Sequence, residues 1–231
     1  MPGELARLGH RIAASTVWQI MHDAGTGPHP AATGPTWKQF LTGQACGVLA
    51  AGFVHVDTVL LGCIYALIVI EHGTRRAHLA GITAYPDGAW TIQAARNLLM
   101  DFSQRAASAR FLIRDRAGQF TDTFDAIFAA AGIHILISPP QAPRANAICE
   151  QMTGTLRREL PGRLLILNER HLRQVLTEYL HHYNTARPHR TPGQLPPAQA
   201  GTPPPQINLA GHRIRRKQVL GGLTSEYQAI A

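Results

Sequence analysis

Three apolar segments in residues 53–83, FVHVDTVLLGCIYALIVIEHGTRRAHLAGIT, decide the fold that the sequence predicts. They are Phe53–Leu60, Cys63–Ile70 and Arg75–Thr83, and all three are rich in the β-branched and aromatic residues that favour strands. Connections of two and four residues separate them, which is short enough for antiparallel hairpins. The stretch therefore predicts three consecutive strands on one side of a sheet.

Helices and strands alternate after this point. Apolar residues spaced three and four apart predict helices over residues 88–106, 124–131, 146–160 and 169–183. Short apolar runs predict two further strands over residues 111–114 and 133–137. Because each of these strands follows a helix, we expect it to lie parallel to a neighbour. This α/β order is similar to the ribonuclease H-like fold, with a mixed five-stranded sheet flanked by helices.

The ends of the chain differ in composition from this central part. Residues 1–25 fit either a partial helix-turn-helix or a small packing appendage, and residues 26–45 read as a linker with a short helix. The predicted catalytic core covers residues 46–190. A Pro-rich linker over residues 191–210 then leads to a basic C-terminal tail, residues 211–231.

The composition limits the class of partner. The chain has 22 Lys and Arg against 14 Asp and Glu, a formal net charge of +8, which favours a polyanion such as nucleic acid. Its three cysteines are isolated, which argues against a disulfide framework or a structural zinc site. The sequence shows no secretory signal and no apolar run near the roughly 20 residues of a membrane span. We therefore expect a cytoplasmic protein without a membrane partner.

Three acidic residues stand at positions typical of a metal site. Asp57 lies in the first predicted strand, Asp115 directly follows the fourth, and Glu150 lies in a later helix. If the first and fourth strands are neighbours, Asp57 and Asp115 face each other, and the helix can bring Glu150 to them. Three carboxylates would repel one another without a cation, and Mg²⁺ prefers such oxygen ligands. Taken singly, Asp115 is more typical of a turn residue and Glu150 of a solvated helix residue.

Several motifs resemble the DDE integrases and transposases, namely the retroviral integrases and the bacterial insertion-sequence enzymes. The 34 residues between Asp115 and Glu150 (116–149) are similar to that family's Asp-to-Glu spacing. The resembling blocks are Val-Asp57-Thr58, Asp115-Arg-Ala-Gly-Gln-Phe120, Pro-Pro-Gln-Ala-Pro-Arg-Ala-Asn146 leading to Glu150, and Tyr183-Asn-Thr-Ala-Arg187-Pro-His-Arg190.

The resemblance implies a function as well as a fold. It makes Asp57, Asp115 and Glu150 the triad that binds Mg²⁺, for which Mn²⁺ can substitute, in a polynucleotidyl transferase. The implied reaction is metal-dependent cleavage and strand transfer on double-stranded DNA during integration or transposition, by a homo-oligomer assembled on DNA. Gly52, where related sequences often have a further acidic residue, and the short N-terminal region favour an alternative: a truncated, non-catalytic DNA-binding remnant or regulator of an intact transposase. A ribonuclease H-like nuclease for another nucleic acid is a third reading.

Nine basic residues and one asparagine, in the loop and helix around Glu150, after the last core helix and in the C-terminal tail, are candidate DNA contacts. Each of them also has an explanation without DNA. Surface arginines are often only solvated, basic residues after a helix can stabilise its end, and a charged tail can aid solubility. His55, two residues before Asp57, is interpreted as a neighbour of the site and not as a general base. The candidates are Arg144, Asn146, Arg157, Arg158, Arg187, Arg190, Arg213, Arg215, Arg216 and Lys217.

Overall fold

The computed structural model divides the chain into two compact units, Met1–Gly43 and Gln44–Ala231. The predicted N-terminal segment and linker, residues 1–45, lie almost entirely outside the described residues. The continuous ranges that the structure describes are 43–102, 108–139, 146–160, 163–189, 195–199 and 213–230, with residues 13, 15, 16, 19, 23, 39 and 41 described singly.

A mixed five-stranded sheet forms the centre of the second unit. Its strand order is β3-β2-β1-β4-β5, with β1, β2 and β3 antiparallel and with β4 and β5 parallel to their neighbours. The predicted mixed sheet is therefore confirmed, including the two parallel strands that follow helices. The strands are β1 Val48–Asp57, β2 Cys63–Glu71, β3 Ala77–Thr83, β4 Phe111–Arg114 and β5 His134–Ile137.

Helices cover both faces of this sheet. In the described residues they are α1 Gly88–Phe102, α2 Asp122–Ala130, α3 Ala147–Glu159 and α4 Glu169–Thr185. Two of them begin with a side chain that satisfies a free amide: Thr121 accepts from the Phe124 amide, and Asn168 accepts from the His171 amide. The predicted extension of the first helix to residue 106 lies outside the described residues.

The first strand begins five residues earlier than predicted. β1 starts at Val48, because Val48 to Gly52 are buried in the middle of the sheet. Alanine and glycine at positions 50–52 have weak strand propensity, and central burial overrides it here. Since β4 pairs with Val48, Leu49 and Ala50, the first half of β1 carries the contact with β4.

The main core lies between one face of the sheet and the first two helices. α1 and α2 pack against each other there, and among the most deeply buried side chains are Leu67, Leu112, Phe124, Phe128 and Ile133. Outside this core, α3 packs on β1 and β2, and α4 packs on β3. This arrangement positions α3 directly across the middle strands.

A separate β-hairpin follows in the C-terminal part. Its antiparallel strands are β6 Arg213–Val219 and β7 Thr224–Ile230. The hairpin contacts α4: His182 Nδ1 lies 3.1 Å from Glu226 Oε1, and the Leu220 amide donates to Glu178 Oε1 at 2.7 Å. The predicted basic tail thus contains a hairpin attached to the last helix. Within the described residues, no helix is both long and apolar enough to cross a membrane.

The buried aromatic residue Phe128 gives a direct test of this core. Its side chain is 0% exposed, so Phe128→Ala is expected to lower the free energy of unfolding by about 3–5 kcal/mol. Met100, on the neighbouring helix α1, is 77% exposed, and Met100→Ala is expected to change it by less than about 0.5 kcal/mol. Urea denaturation followed by circular dichroism measures both, and equal effects would contradict the described core.

Candidate active site

Asp115 lies at the carboxyl end of β4, and the chain around it is well fixed. The exposed Asp115 carboxylate accepts from the Ala117 amide at 3.0 Å. The preceding Arg114 is 5% exposed, donates to the Asp115 carbonyl at 2.9 Å and forms two hydrogen bonds with the Asp125 carboxylate at 2.8 and 2.6 Å. This buried ion pair, which the sequence analysis did not identify, joins the end of β4 to α2 and positions Asp115.

Helix α3 is attached to β1 at its first residues. Asn146 is 5% exposed, and its side-chain amide donates to the Ala51 carbonyl at 3.1 Å. The sequence analysis predicted a DNA contact for Asn146, but the structure buries the side chain and uses it between helix and sheet. It therefore fixes the start of the helix that carries Glu150.

The buried thiol of Cys149 lies between α3 and β1. Its Sγ is 2.8 Å from the point that a Cβ on Gly52 would occupy. Burial raises the pKa of Cys149 to about 12, and the negative charges of Asp115 and Glu150 add to the increase. Cys149 thus packs the start of α3, which carries the adjacent Glu150, onto the part of β1 that contains Gly52.

Asp57 lies elsewhere on the same strand. The parallel register pairs Val48 with Phe111 and Ala50 with Ile113, and its continuation brings Gly52 beside Asp115. Asp57 is five residues further along β1, about 16 Å at the rise of an extended strand. The expectation that Asp57 and Asp115 face each other is therefore wrong, because β4 pairs with the first half of β1. The metal-binding role of Asp57 stays a prediction.

Asp115 and Glu150 do not form the three-carboxylate metal site that the sequence predicted. Among the described residues, no group of three or more His, Cys, Asp and Glu side chains is arranged to hold a metal ion. Asp115 and Glu150 offer the oxygen ligands that Mg²⁺ prefers, but the third neighbour, Cys149, offers a soft sulfur. The residues present therefore fit a weak two-carboxylate site and do not fit a three-carboxylate site for two ions.

Two predicted DNA contacts lie exposed on α3. Arg157 is seven residues after Glu150, and its Nη2 lies 3.4 Å from Nδ1 of the exposed His55 on β1. Arg158 donates to Thr155 Oγ1 at 3.2 Å. The exposed part of α3 that follows Glu150 therefore carries positive charge and reaches His55 on β1.

Arg187 has a different environment from the one predicted. Its guanidinium donates twice to the Glu159 carboxylate, at 2.7 and 2.8 Å, and once to the Tyr179 hydroxyl at 2.8 Å. Although burial raises the pKa of Glu159, the hydrogen bonds from Arg187 and Tyr179 outweigh it and leave that pKa below its ordinary value. Arg187 thus joins α3 to α4 and is not free for DNA. The predicted contacts Arg144 and Arg190 lie outside the described residues.

The basic residues of the C-terminal hairpin are exposed. Arg216 donates to Ser225 Oγ at 2.9 Å, and Lys217 forms a long ion pair with Glu226 at 3.7 Å. Arg213 and Arg215 lie on the same strand with exposed side chains. Since side chains alternate along a strand, Arg213, Arg215 and Lys217 share one face of the hairpin.

A family model and a relative in sequence match this chain. The model, described as an integrase core domain, matches residues 131–197, which include α3 with Glu150 but neither Asp57 nor Asp115. An uncharacterised 39.2 kDa protein of insertion element IS476 from Xanthomonas euvesicatoria is 28% identical over 137 residues, which covers 59% of this chain and 38% of that protein. The chain therefore spans less than half of that relative.

Solved retroviral structures have the same fold. The catalytic core domain of HTLV-2 integrase in complex with magnesium, in its trimeric form, has a TM-score of 0.51 and 13% identity, covering 66% of this chain and 94% of that one. The chain therefore contains a segment similar to the integrase core domain, within a fold that retroviral integrase catalytic cores share. A chain of the simian T-cell lymphotropic virus intasome, solved with the PP2A regulatory subunit B56 gamma, has a TM-score of 0.53 and 12% identity, covering 80% and 66%.

The ion pair between Arg187 and Glu159 predicts a pH-dependent contribution to the stability of this chain. Arg187→Met is expected to lower the free energy of unfolding by about 1–2 kcal/mol near neutral pH, because both groups are partly exposed. Since the folded-state pKa of Glu159 is lowered from 4.5, the stabilisation is present above that pH. It is lost as the pH falls through the lowered value.

Urea denaturation between neutral and acidic pH measures this effect. The control is Arg173→Met, which replaces an exposed arginine on the same helix α4. A difference between wild type and Arg187→Met that stays constant down to the acid transition would contradict the role given to the Glu159 carboxylate.

Proposed function

We propose that this chain is a mobile-element protein that binds double-stranded DNA through an integrase core. The observation that carries the proposal is the position of Gly52 on β1: the strand register brings it beside Asp115, and Cys149, the neighbour of Glu150 on α3, packs on it. The fold is one shared with retroviral integrase cores. Arg157 lies exposed on the same helix as Glu150. Acidic and basic groups in this order suit a phosphate backbone with a bound cation, since the cation offsets the carboxylates.

The proposed DNA surface has two parts. The first is the exposed side of α3 with Arg157 and Arg158, next to the carboxylate pair. The second is the row of exposed side chains on β6 of the C-terminal hairpin, namely Arg213, Arg215 and Lys217. The net charge of +8 supports a polyanionic partner, because each cation at a phosphate releases counterions. We propose a homo-oligomer on DNA in the bacterial cytoplasm, as expected for the protein of an insertion element.

Strand cleavage and strand transfer is the first candidate for what this site does. In this chemistry a bound Mg²⁺ or Mn²⁺ supplies Lewis acidity at the scissile phosphate. Asp115 and Glu150 are the residues that would hold the ion, and Asp57 is the predicted third ligand without geometric support. Arg157 would hold the DNA backbone beside them. The activity of a polynucleotidyl transferase therefore remains a proposal for this chain.

A non-catalytic regulator is the second candidate, and a specific observation favours it. The position of β1 beside Asp115 is Gly52, which has no ligand to offer. A protein with this site could still bind the DNA ends of its element and compete with an intact transposase. The two candidates share the DNA-binding step and differ in the chemical step.

A strand-transfer assay separates the two candidates. Wild type and Glu150→Gln are compared on DNA that carries the element's terminal sequences, in Mg²⁺ and in Mn²⁺. Products from wild type that Glu150→Gln abolishes support the enzymatic candidate. Silence from both proteins, with DNA binding retained, supports the regulator, and absence of DNA binding contradicts the proposed function as a whole.

The hairpin surface predicts a salt-dependent contribution to DNA binding. Arg213→Ala/Arg215→Ala is expected to weaken binding and to reduce the slope of log K against log salt by about 0.9 for each phosphate that the variant no longer neutralises. Fluorescence anisotropy with a labelled duplex over a range of salt concentrations measures this. Arg96→Ala, an exposed arginine on α1, is the matched control and is expected to leave both values unchanged. Equal reductions in the two proteins would contradict the assignment of the hairpin surface.

A further inference from the structure

Gly52 lies at the point of β1 that both β4 and α3 approach. The register of β1 with β4 brings it beside Asp115, and α3 packs over it with Cys149. A side chain at this position would meet the side chain of Cys149, one residue before Glu150, and would lie beside Asp115 in the sheet. Glycine has only a hydrogen atom there, so β1 contributes no ligand to the place where the other two carboxylates meet.

The Cys149 thiol occupies the space that such a side chain would need. Cys149 is 1% exposed, and its Sγ is 2.8 Å from the position of a Cβ on residue 52, closer than real Cβ contacts allow. The Cβ of Cys149 itself is 4.0 Å from that position, an ordinary contact. Gly52 and Cys149 thus fit each other closely, and removal of the sulfur makes room for a larger residue at position 52.

We propose that Gly52 marks the place of a missing third carboxylate in this integrase core, and that Gly52→Asp together with Cys149→Ala assembles a three-carboxylate cation site with Asp115 and Glu150. The inference rests on the proposed function, since it concerns the same edge of the sheet. As it stands, the chain holds a divalent cation weakly through two carboxylates, and Asp57 takes no part. The inference therefore favours the second candidate above, a chain that binds DNA and does not transfer strands.

The test measures Mn²⁺ binding by electron paramagnetic resonance in four proteins. The double variant Gly52→Asp/Cys149→Ala is expected to bind Mn²⁺ at least about tenfold more tightly than wild type, because affinity rises with the number of carboxylate ligands. Gly52→Asp alone is expected to gain less, since the thiol obstructs the new side chain. Gly43→Asp adds the same charge where a Cβ meets nothing within 4 Å, and is expected to gain nothing.

Two variants in the wild-type background test the inference without altering the packing. Asp115→Asn is expected to abolish the weak binding of Mn²⁺, and Asp57→Asn is expected to leave it unchanged. The reverse result, with Asp57 needed for binding, would overturn the proposal. Equal affinities of wild type and the double variant for Mn²⁺ would also overturn it, once thermal denaturation has shown that the double variant is folded.

DNA binding without added metal, measured on the same proteins, keeps the two proposals apart. If all of them bind duplex DNA and only the double variant binds Mn²⁺ tightly, both proposals stand, and strand-transfer products are expected from the double variant alone. If none binds DNA while Mn²⁺ binding follows the expected order, the proposed function fails and the assignment of Gly52 stands. If DNA binds and the Mn²⁺ order is absent, the assignment of Gly52 fails.

Discussion

The pairing of β1 with β4 is the constraint on which the rest of this molecule depends. Parallel strands exchange backbone hydrogen bonds in a fixed register, and a shift by one residue would turn every side chain of β1 to the opposite face. The register observed here joins Val48 and Ala50 to Phe111 and Ile113. It therefore decides which residue of β1 meets Asp115, and that residue is Gly52.

Much of the fold could be predicted from the sequence because its signals are local. Strands over 63–70 and 111–114 and a helix capped at Thr121 follow from β-branched runs, spacing and capping chemistry. The start of β1 could not be predicted in this way, since Ala50, Ala51 and Gly52 are poor strand formers that tertiary burial holds extended. The partner of Asp115 depended on that boundary, so the predicted meeting with Asp57 failed.

The site residues show the same division between local and long-range information. Asp115 and Glu150 were found from their spacing, and the structure brings both near Cys149. Nothing in the sequence indicated that Arg187 pairs with Glu159 or that Asn146 is buried against Ala51, because both contacts join segments far apart in the chain. Gly52 was noted only as a position where related sequences often have an acidic residue, and its consequence required the register.

Packing and chemistry are linked at this edge of the sheet. The buried thiol of Cys149 on α3 fills the space over Gly52 on β1, so the packing of this helix and the incomplete ligand set meet at one position. The location of a bound cation in crystals soaked with Mn²⁺ tests this most directly, by anomalous scattering. The register predicts a peak between Asp115 and Glu150 in Gly52→Asp/Cys149→Ala and a weaker one there in wild type. A peak at Asp57 in either protein would contradict it.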